Sequence, residues 1–289
     1  MILVTGASGK LGQIIVHELQ LAGVFPRLMV RDKQKVSKHK DLQIIEGDYR
    51  NLDSLQAAFK GVERAFIVSL HERPMERANL HRNAFVAAVA AGVRYIVYTS
   101  FQGAAQESSF NMARDHYITE KYLQESGLNY TALRNNFYME TAHEEVNKDG
   151  NRLVIRNPAG DGRVAWVCRN DIAQVAAHLL INPMIESKEL DVTGPEAPKL
   201  SELAQLLSDL SGKNIEFEQE SYEEGLAWRS KSNLVNWNLE AWMSSDIAKG
   251  KGEVSKVSNT VEKILGRKAC SLRDFYTQNI SYIEQLSEM

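Results

Sequence analysis

The chain has 289 residues, of which 44% are hydrophobic and 25% are charged. A chain of this length and composition buries a full core and forms one large or two unequal globular units. The net charge of -3 provides no basic surface, so we expect no direct contact with nucleic acid, while a protein partner stays compatible with this charge.

The two cysteines, Cys168 and Cys270, are far apart in sequence and lack the spacing of metal ligands. This pattern indicates a reducing compartment and no metal site. No apolar run reaches the roughly 20 residues that span a bilayer, and the start of the chain lacks the basic region and cleavage site of a signal peptide. We therefore expect a cytoplasmic protein that does not bind a membrane.

The chain begins with an apolar segment, Met1 to Val4, that runs into a turn with three glycines. After the turn, apolar residues recur at helical spacing. Gly6 allows a sharp turn, Gly9 allows a ligand to approach the backbone, and Gly12 allows the helix to pack closely on the strand. The helix N-terminus then offers N–H groups to a pyrophosphate. This order of strand, turn and helix predicts dinucleotide binding, against the alternative of a merely structural turn.

A second apolar strand, Arg27 to Val30, ends at Arg31. In a dinucleotide fold the residue at this strand end faces the adenosine ribose, where an acid suits a free 2′-hydroxyl and an arginine suits a 2′-phosphate. Arg31, followed by Lys33 and Lys35, therefore favours NADP, with NAD as the alternative because Asp32 is adjacent. The same residues also fit a solvated basic loop.

Strands and helices alternate through the first half of the chain. The further predicted strands are Leu42 to Glu46, Arg64 to Ser69, Tyr95 to Thr99 and Asn129 to Leu133, and the helices between them are Leu52 to Phe59, Met75 to Ala91 and Asn111 to Ser126. Such alternation gives a parallel sheet with ligands at the carboxyl ends of its strands. Those ends carry Gly6, Arg31, Asp48, Ser69, Ser100 and Asn135, which we predict to line the pocket.

Two residues at the end of the third strand are candidates for adenine binding. Asp48 is expected to accept a hydrogen bond from the exocyclic amine, and Tyr49 to cover a face of the ring. Asp48 equally fits an ordinary loop residue.

The second half of the chain contains fewer strands. Short strands are predicted at Leu153 to Ile155 and Val164 to Val167, then a helix from Asp171 to Ile181, a last sheet strand at Leu190 to Thr193, a helix from Leu200 to Leu210 and a strand at Ile215 to Phe217. We therefore predict an α/β fold: a Rossmann-type, doubly wound parallel sheet. Residues 1–195 form the NAD(P)-binding domain, with a substrate-side excursion at about 136–167, and residues 196–289 form a smaller, mainly helical substrate-side lobe.

The helix after the fifth strand carries Tyr117 and Lys121, four residues apart on one face. This is the spacing of short-chain dehydrogenases, in which the lysine holds the nicotinamide ribose and lowers the pKa of the phenol. The tyrosine then transfers a proton to or from the substrate oxygen. Ser100, at the preceding strand end, is placed to polarise that oxygen. Lys121, Tyr117 and Ser100 are therefore the catalytic candidates, although such a pair also occurs by chance.

A set of motifs extends over nearly the whole chain and is densest before about residue 200. They are Val-Thr-Gly-Ala-Ser-Gly-Lys-Leu-Gly at residues 4–12, Val30-Arg31-Asp32, Gly47-Asp48-Tyr49, Tyr98-Thr99-Ser100, His116 to Lys121, Leu133 to Asn136, Gly266-Arg267 and Ser271 to Phe275. Together they resemble the NmrA-like group of atypical short-chain dehydrogenases, and within that group the type 2 NAD(P)H:quinone oxidoreductases.

The resemblance implies roles for particular residues. Those implied to hold NADP are Gly6, Ala7, Ser8, Gly9, Lys10, Leu11 and Arg31. Lys121 is implied to lie near the nicotinamide ribose, and Asn135, Asn136 and Phe137 to border the substrate. Quinone reductases of this group share the pattern His-x-x-Thr-Glu-Lys but need no tyrosine four residues before the lysine. The resemblance therefore does not support Tyr117 as an acid.

Three functions are compatible with the sequence. The first is an NADPH-dependent reductase that transfers hydride to a quinone or another small carbonyl substrate, without a metal or flavin. The second is a non-catalytic regulator that binds the dinucleotide and reports redox state to a protein partner. The third is a nucleotide-sugar epimerase, although such enzymes more often have an acid where this chain has Arg31. A homodimer is compatible with each of them.

Overall fold

The computed structural model describes residues 1–37, 39, 41–231 and 235–288. The chain forms two compact units. The first comprises Met1–Ala104, Asp115–Arg134 and Asn170–Leu190, and the second comprises Ala105–Arg114, Asn135–Arg169 and Asp191–Met289. The second unit thus combines the predicted lobe with the predicted excursion. It also takes in residues 105–114, which the sequence pattern places in the first domain.

The first unit is built around a seven-stranded sheet. In sheet order the strands are β3 (Ile44–Glu46), β2 (Arg27–Val30), β1 (Ile2–Thr5), β4 (Arg64–Ile67), β5 (Tyr95–Phe101), β6 (Asn129–Asn135) and β9 (Lys188–Val192). Strand β1 pairs in parallel with β2 and β4, β2 with β3, and β4 with β5. The strand order reverses beside β1, which places a crevice at the carboxyl ends of β1 and its neighbours. The predicted doubly wound α/β fold is confirmed.

The α-helices follow the predicted alternation. In chain order they are α1 (Lys10–Leu21), α2 (Leu52–Phe59), α3 (Glu76–Ala90), α4 (Asn111–Glu125), α5 (Met139–Ala142), α6 (Arg169–Ile181), α7 (Leu200–Ser211), α8 (Tyr222–Arg229), α9 (Asn236–Gly250), α10 (Thr260–Leu265), α11 (Leu272–Gln278) and α12 (Ser281–Ser287). Short 3₁₀ helices cover Lys33–Val36 and His143–Glu145. No helix within the described ranges is long and apolar enough to cross a membrane.

The first helix shows how apolar spacing fixes the core. Leu11, Ile15 and Leu19 are buried, whereas His17 on the opposite face is exposed. All four residues of β1 are buried as well. A central parallel strand is covered on both faces, so its sequence is a continuous run of apolar residues. The helix that covers it buries only one face, so its apolar residues recur with a period of 3.6.

The second unit contains a three-stranded sheet. Its strands, in order, are β10 (Ile215–Gln219), β8 (Arg152–Asn157) and β7 (Val146–Asp149). Strands β10 and β8 are parallel, and β7 is antiparallel to β8. The sequence pattern predicted parts of β8 and β10 but not β7, in which three of the four residues are polar and two are exposed.

The strand predicted over residues 164–167 is wrong. The N–H of Val164 bonds to Pro198, that of Ala165 to Val254 and that of Val167 to Phe137. These acceptors belong to three separate segments, so a ladder does not form. A buried, extended segment whose backbone groups form hydrogen bonds with several separate segments has the same run of apolar residues as a strand. The sequence pattern therefore does not distinguish the two.

Candidate dinucleotide site

The turn between β1 and α1 has room for backbone but not for side chains. Gly6 has a φ of +58°, and a Cβ at this position would lie 2.4 Å from Cγ1 of Val68. A Cβ on Gly12 would lie 2.3 Å from the carbonyl oxygen of Gly6, and one on Gly9 would lie 3.2 Å from the same oxygen. The three glycines therefore hold the start of α1 tightly against the turn and leave its backbone open to a ligand.

The first turn of α1 carries amides without intrahelical acceptors. The first hydrogen bond of the helix runs from the N–H of Gln13 to the carbonyl oxygen of Gly9 at 2.9 Å. The N–H groups of Lys10, Leu11 and Gly12 therefore have no acceptor within the helix. The first turn contains no acidic residue, and Gly9 supplies no capping side chain. Such an end, with the positive pole of the helix dipole, suits a diphosphate.

One cleft of about 290 Å³ in the first unit brings most of the predicted cofactor residues together. Those that line it are Gly6, Ser8, Gly9, Arg31, Asp48, Tyr49 and Ser69. They lie at the carboxyl ends of β1, β2, β3 and β4, which are adjacent in the sheet. Ala7 and Leu11 are buried, and Lys10 is exposed at the start of α1.

Arg31 is exposed at the end of β2 and lines this cleft. Among the residues that the structure describes, no carboxylate pairs with its guanidinium. The adjacent Asp32 accepts a hydrogen bond of 2.9 Å from the N–H of Gln34 and so begins the 3₁₀ helix. Lys33 lies 3.7 Å from Glu46. Because Asp32 is engaged locally, Arg31 is the charged group that this strand end offers to a ribose substituent.

Tyr49 lines the cleft and has a structural role there. The residue is 3% exposed, and its hydroxyl lies 2.7 Å from Oγ1 of Thr5 and donates to the carbonyl oxygen of Val68 at 3.2 Å. Burial raises the pKa of its phenol, so the hydroxyl keeps its proton. These contacts connect the end of β1 to the end of β4. They leave little of the Tyr49 ring exposed for the predicted contact with an adenine.

Asp48 stabilises its own turn and also has a side chain that is accessible to a ligand in the cleft. Its Oδ1 accepts a hydrogen bond of 2.9 Å from the N–H of Arg50, and its backbone N–H donates to Oγ of Ser54 at 3.1 Å. Its side chain is still 38% exposed. The turn that Asp48 stabilises thus leaves a carboxylate at the cleft, as binding to an adenine amine requires.

The loop after β4 is held by side chains that the sequence pattern did not single out. The N–H of Ser69 donates to Oγ1 of Thr99 at 2.6 Å, and the N–H of Leu70 donates to Nε2 of His81 at 3.0 Å. Nδ1 of His81 lies 3.2 Å from Oγ1 of Thr119. The polar residues of α3 and α4 thus fix one wall of the cleft. The available signal was His81, a histidine at the spacing of the buried face of α3.

The same network continues through Tyr98, whose hydroxyl lies 2.9 Å from Nδ1 of His116. Burial lowers the pKa of His81 and of His116, with the charge of Arg77 adding to it, and burial raises the pKa of Tyr98. All three groups are therefore uncharged. Because Nε2 of His81 accepts a hydrogen bond from the backbone N–H of Leu70, the ring hydrogen of the neutral imidazole is on Nδ1.

Ser100 does not have the environment that its predicted catalytic role requires. The residue is buried, and its hydroxyl donates to Oε1 of Glu120 at 2.6 Å. Glu120 also accepts hydrogen bonds from Nε and Nη2 of Arg134, at 2.9 Å and 2.6 Å. Since a hydroxyl has only one hydrogen, Ser100 has none left for a substrate oxygen. In this structure Ser100 is a buried support for Glu120, and its predicted catalytic role stays a prediction.

Tyr117 and Lys121 lie together on α4 as their spacing predicts. The ammonium of Lys121 lies 5.4 Å from the centre of the Tyr117 ring, and it donates to Oε1 of Gln124 at 3.2 Å. Lys121 is exposed and Tyr117 is half-buried. The pair is therefore reachable from solvent, but Ser100 does not complete it as a triad.

The three predicted substrate residues lie in the second unit and differ in exposure. Asn135 and Asn136 are buried. Asn136 donates to the carbonyl oxygen of Val254 at 2.8 Å and accepts a hydrogen bond from the N–H of Phe137 at 2.7 Å, so it has a structural role. Its predicted substrate contact stays a prediction. Phe137 is half-buried against Trp166, and the ammonium of Lys249 lies 5.0 Å from its ring centre. Of the three residues, only Phe137 is partly exposed.

Comparison with known proteins agrees with this geometry. The sequence matches the NAD(P)H-binding family over residues 6–183. It is 31% identical over 278 residues to quinone oxidoreductase 2 of Escherichia coli strain K12, covering 95% of this chain and 96% of that one. The crystal structure of the NADPH-dependent quinone oxidoreductase of E. coli with NADPH matches with a TM-score of 0.87 and 31% identity, covering 97% of this chain and all of that one.

A second solved structure is also similar to this chain. The triphenylmethane reductase of Citrobacter sp. with NADP(H) has a TM-score of 0.83 and 31% identity, covering 96% of this chain and 99% of that one. The family match includes the glycine turn, the four strand ends at the cleft and helix α4. The chain therefore belongs to the NAD(P)H-binding family, and within it to the NmrA-like atypical short-chain dehydrogenases.

Proposed function

We propose that the protein is an NADPH-dependent reductase that transfers hydride to a quinone or another small carbonyl acceptor. The observation that carries the proposal is the cleft itself. Its glycine turn leaves three helix amides without intrahelical acceptors, and Arg31 at its edge has no carboxylate partner among the described residues. The 31% identity to a quinone oxidoreductase over nearly the whole chain supports the choice of acceptor.

The chain's own residues bind and orient the cofactor. The amides at the start of α1 hold the diphosphate. Arg31 holds the 2′-phosphate, because a guanidinium binds phosphate through paired donors and stays charged at every relevant pH. Lys121 contacts the nicotinamide ribose. NADPH, when bound, supplies the hydride.

The acceptor side is built without a complete proton-donor triad. The hydroxyl hydrogen of Ser100 is directed to Glu120 in the described structure, which supports a reaction in which Ser100 does not assist Tyr117 in polarising a carbonyl oxygen. A quinone that accepts hydride spreads its charge over an aromatic hydroquinone anion and needs little help from a positioned acid. An isolated ketone places the charge on one oxygen and depends on such an acid. The observed contacts therefore favour a quinone.

The test is NADPH oxidation with a panel of benzoquinones, naphthoquinones and isolated ketones. We expect turnover with quinones, faster than with any ketone, and weaker activity with NADH. Binding of NADPH without reduction of any acceptor would overturn the reductase proposal and would favour the regulator. Faster reduction of a ketone than of every quinone would overturn the choice of acceptor.

A further inference from the structure

Arg50 and Glu72 form an ion pair at the cleft, and both line it. Arg50 follows β3 and Glu72 follows β4, so the pair joins two loops that are far apart in sequence. Nη2 of Arg50 lies 2.6 Å from Oε1 of Glu72. The pair is partly exposed, with 44% of the Arg50 side chain and 25% of the Glu72 side chain accessible.

The loop that carries Arg50 is fixed at its base. Oδ1 of Asp48 accepts the N–H of Arg50 at 2.9 Å, and Nδ2 of Asn83 donates to the carbonyl oxygen of Tyr49 at 2.9 Å. The backbone on the N-terminal side of Arg50 is thus held from β3 and from α3. The guanidinium extends from a fixed point, which reduces the entropy lost when it contacts a ligand.

The loop that carries Glu72 is fixed at both ends. On one side the N–H of Leu70 donates to Nε2 of His81 at 3.0 Å, and on the other the N–H of Met75 donates to Oδ1 of Asp115 at 2.7 Å. Met75 has a φ of +66°, a conformation that side-chain-bearing residues rarely adopt. Glu72 is therefore a fixed acceptor for Arg50.

The charged groups around Arg50 determine which part of a dinucleotide its guanidinium can contact. Besides Glu72, Oε1 of Glu76 lies 3.6 Å and Oδ1 of Asp48 lies 3.9 Å from its guanidinium. Three carboxylates at one guanidinium repel a phosphate but leave the flat face of the cation available to an uncharged aromatic ring. Arg31 lines the same cleft without a described carboxylate partner and is the better phosphate ligand.

We propose that Arg50 contacts the adenine ring of the bound dinucleotide, and that Glu72 is the positioning residue that holds the guanidinium over the base. The contact lies at the adenosine end, so it contributes equally to NADPH and NADH. It differs in this respect from Arg31, whose contribution depends on the 2′-phosphate.

The experiment measures binding of NADPH, NADH and 2′-AMP to Arg50→Gln, Glu72→Gln and the double variant. For NADPH and NADH the release rate is followed by stopped-flow displacement. We expect Arg50→Gln to weaken all three ligands by a common factor of about threefold to thirtyfold. Glu72→Gln should act in the same direction by a smaller factor. The double variant should bind no more weakly than Arg50→Gln, because Glu72 acts through Arg50.

A matched control is Arg163→Gln in the second unit, where Arg163 is about as exposed as Arg50 and pairs with Glu202 at 3.2 Å. This variant should bind all three ligands as wild type does. A loss of NADPH binding with unchanged NADH binding in Arg50→Gln would overturn the adenine assignment, because Arg50 would then contact the 2′-phosphate. Tighter binding in Glu72→Gln would overturn its positioning role. Binding alone is measured, so the result does not depend on whether the protein reduces a quinone.

Discussion

The hydroxyl of Ser100 donates a hydrogen bond of 2.6 Å to Oε1 of Glu120, a carboxylate that also holds the guanidinium of Arg134. The residues lie on β5, α4 and β6, so this contact joins three elements of the first unit. It directs the hydroxyl hydrogen of Ser100 to Glu120, which leads us to expect catalysis without help from Ser100 and changes what is expected of the neighbouring Tyr117.

Ser100→Ala should lower stability and spare catalysis. Losing a buried hydrogen bond to a carboxylate costs about 1.5 to 3 kcal/mol. Urea denaturation measures the free energy of unfolding, and kcat/KM with a quinone should stay within about tenfold of wild type, below the general-acid range. A hundredfold or larger loss of kcat/KM at unchanged stability would restore Ser100 as a catalytic residue.

Arg31→Ala should remove the preference for NADPH over NADH. The guanidinium forms a charge-assisted contact with the 2′-phosphate, whose loss costs about 1.5 to 3 kcal/mol, or roughly tenfold to a hundredfold in affinity. Titration with both cofactors measures the change, and Arg94→Ala, at an exposed arginine outside the cleft, is the control. Equal affinities for the two cofactors in the wild type would exclude the NADPH assignment.

Lys121→Ala should weaken cofactor binding or turnover and leave the fold intact. The side chain is exposed, and its one described hydrogen bond goes to Gln124, so its removal leaves no cavity. Thermal melting and NADPH titration are compared with Lys60→Ala, an exposed lysine at the end of α2. A large loss of thermal stability with unchanged NADPH affinity and turnover would show that Lys121 is structural.

Tyr117→Phe separates the two kinds of acceptor chemistry. A positioned acid contributes about a hundredfold to ten-thousandfold in the reduction of an isolated carbonyl, whereas a quinone needs little of it. With a quinone as substrate we expect kcat/KM to stay within about tenfold of wild type, below that range. A loss beyond about a thousandfold, with NADPH binding intact, would identify a tyrosine-dependent carbonyl reductase or epimerase instead.

The buried histidines predict how stability depends on pH. Burial holds the pKa of His81 and His116 below the usual value of 6.5, so the folded protein keeps both neutral where the unfolded chain binds protons. Their contribution to stability is complete above that value and is lost as the pH falls below it, by about 1.4 kcal/mol per pH unit for each histidine.

The measurement compares the free energy of unfolding at about pH 7 and about pH 5 in wild type and in His116→Gln, which lacks one of the two titrating groups. The variant should lose less stability over this interval than wild type does. An identical pH dependence in the two proteins would mean that His116 is protonated equally in the folded and unfolded states.

The sequence by itself determined the sheet and the location of the cleft. Glycine spacing, apolar runs and helical periodicity are local properties, and they predict β1, the glycine turn and α1, together with the strand ends at Arg31, Asp48 and Ser69. These ends meet because parallel strands share an orientation, which follows from the alternation of strands and helices.

Only the tertiary structure decided which polar side chains are free to act. Ser100 pairs with a residue 20 positions away, Tyr49 with one 44 positions away, and Asn136 with one 118 positions away. Such pairings depend on how helices pack on the sheet and on the three-dimensional path of the chain, which no local pattern encodes. A buried polar group must find a partner, and the partner that it finds determines whether its hydrogen remains available for chemistry.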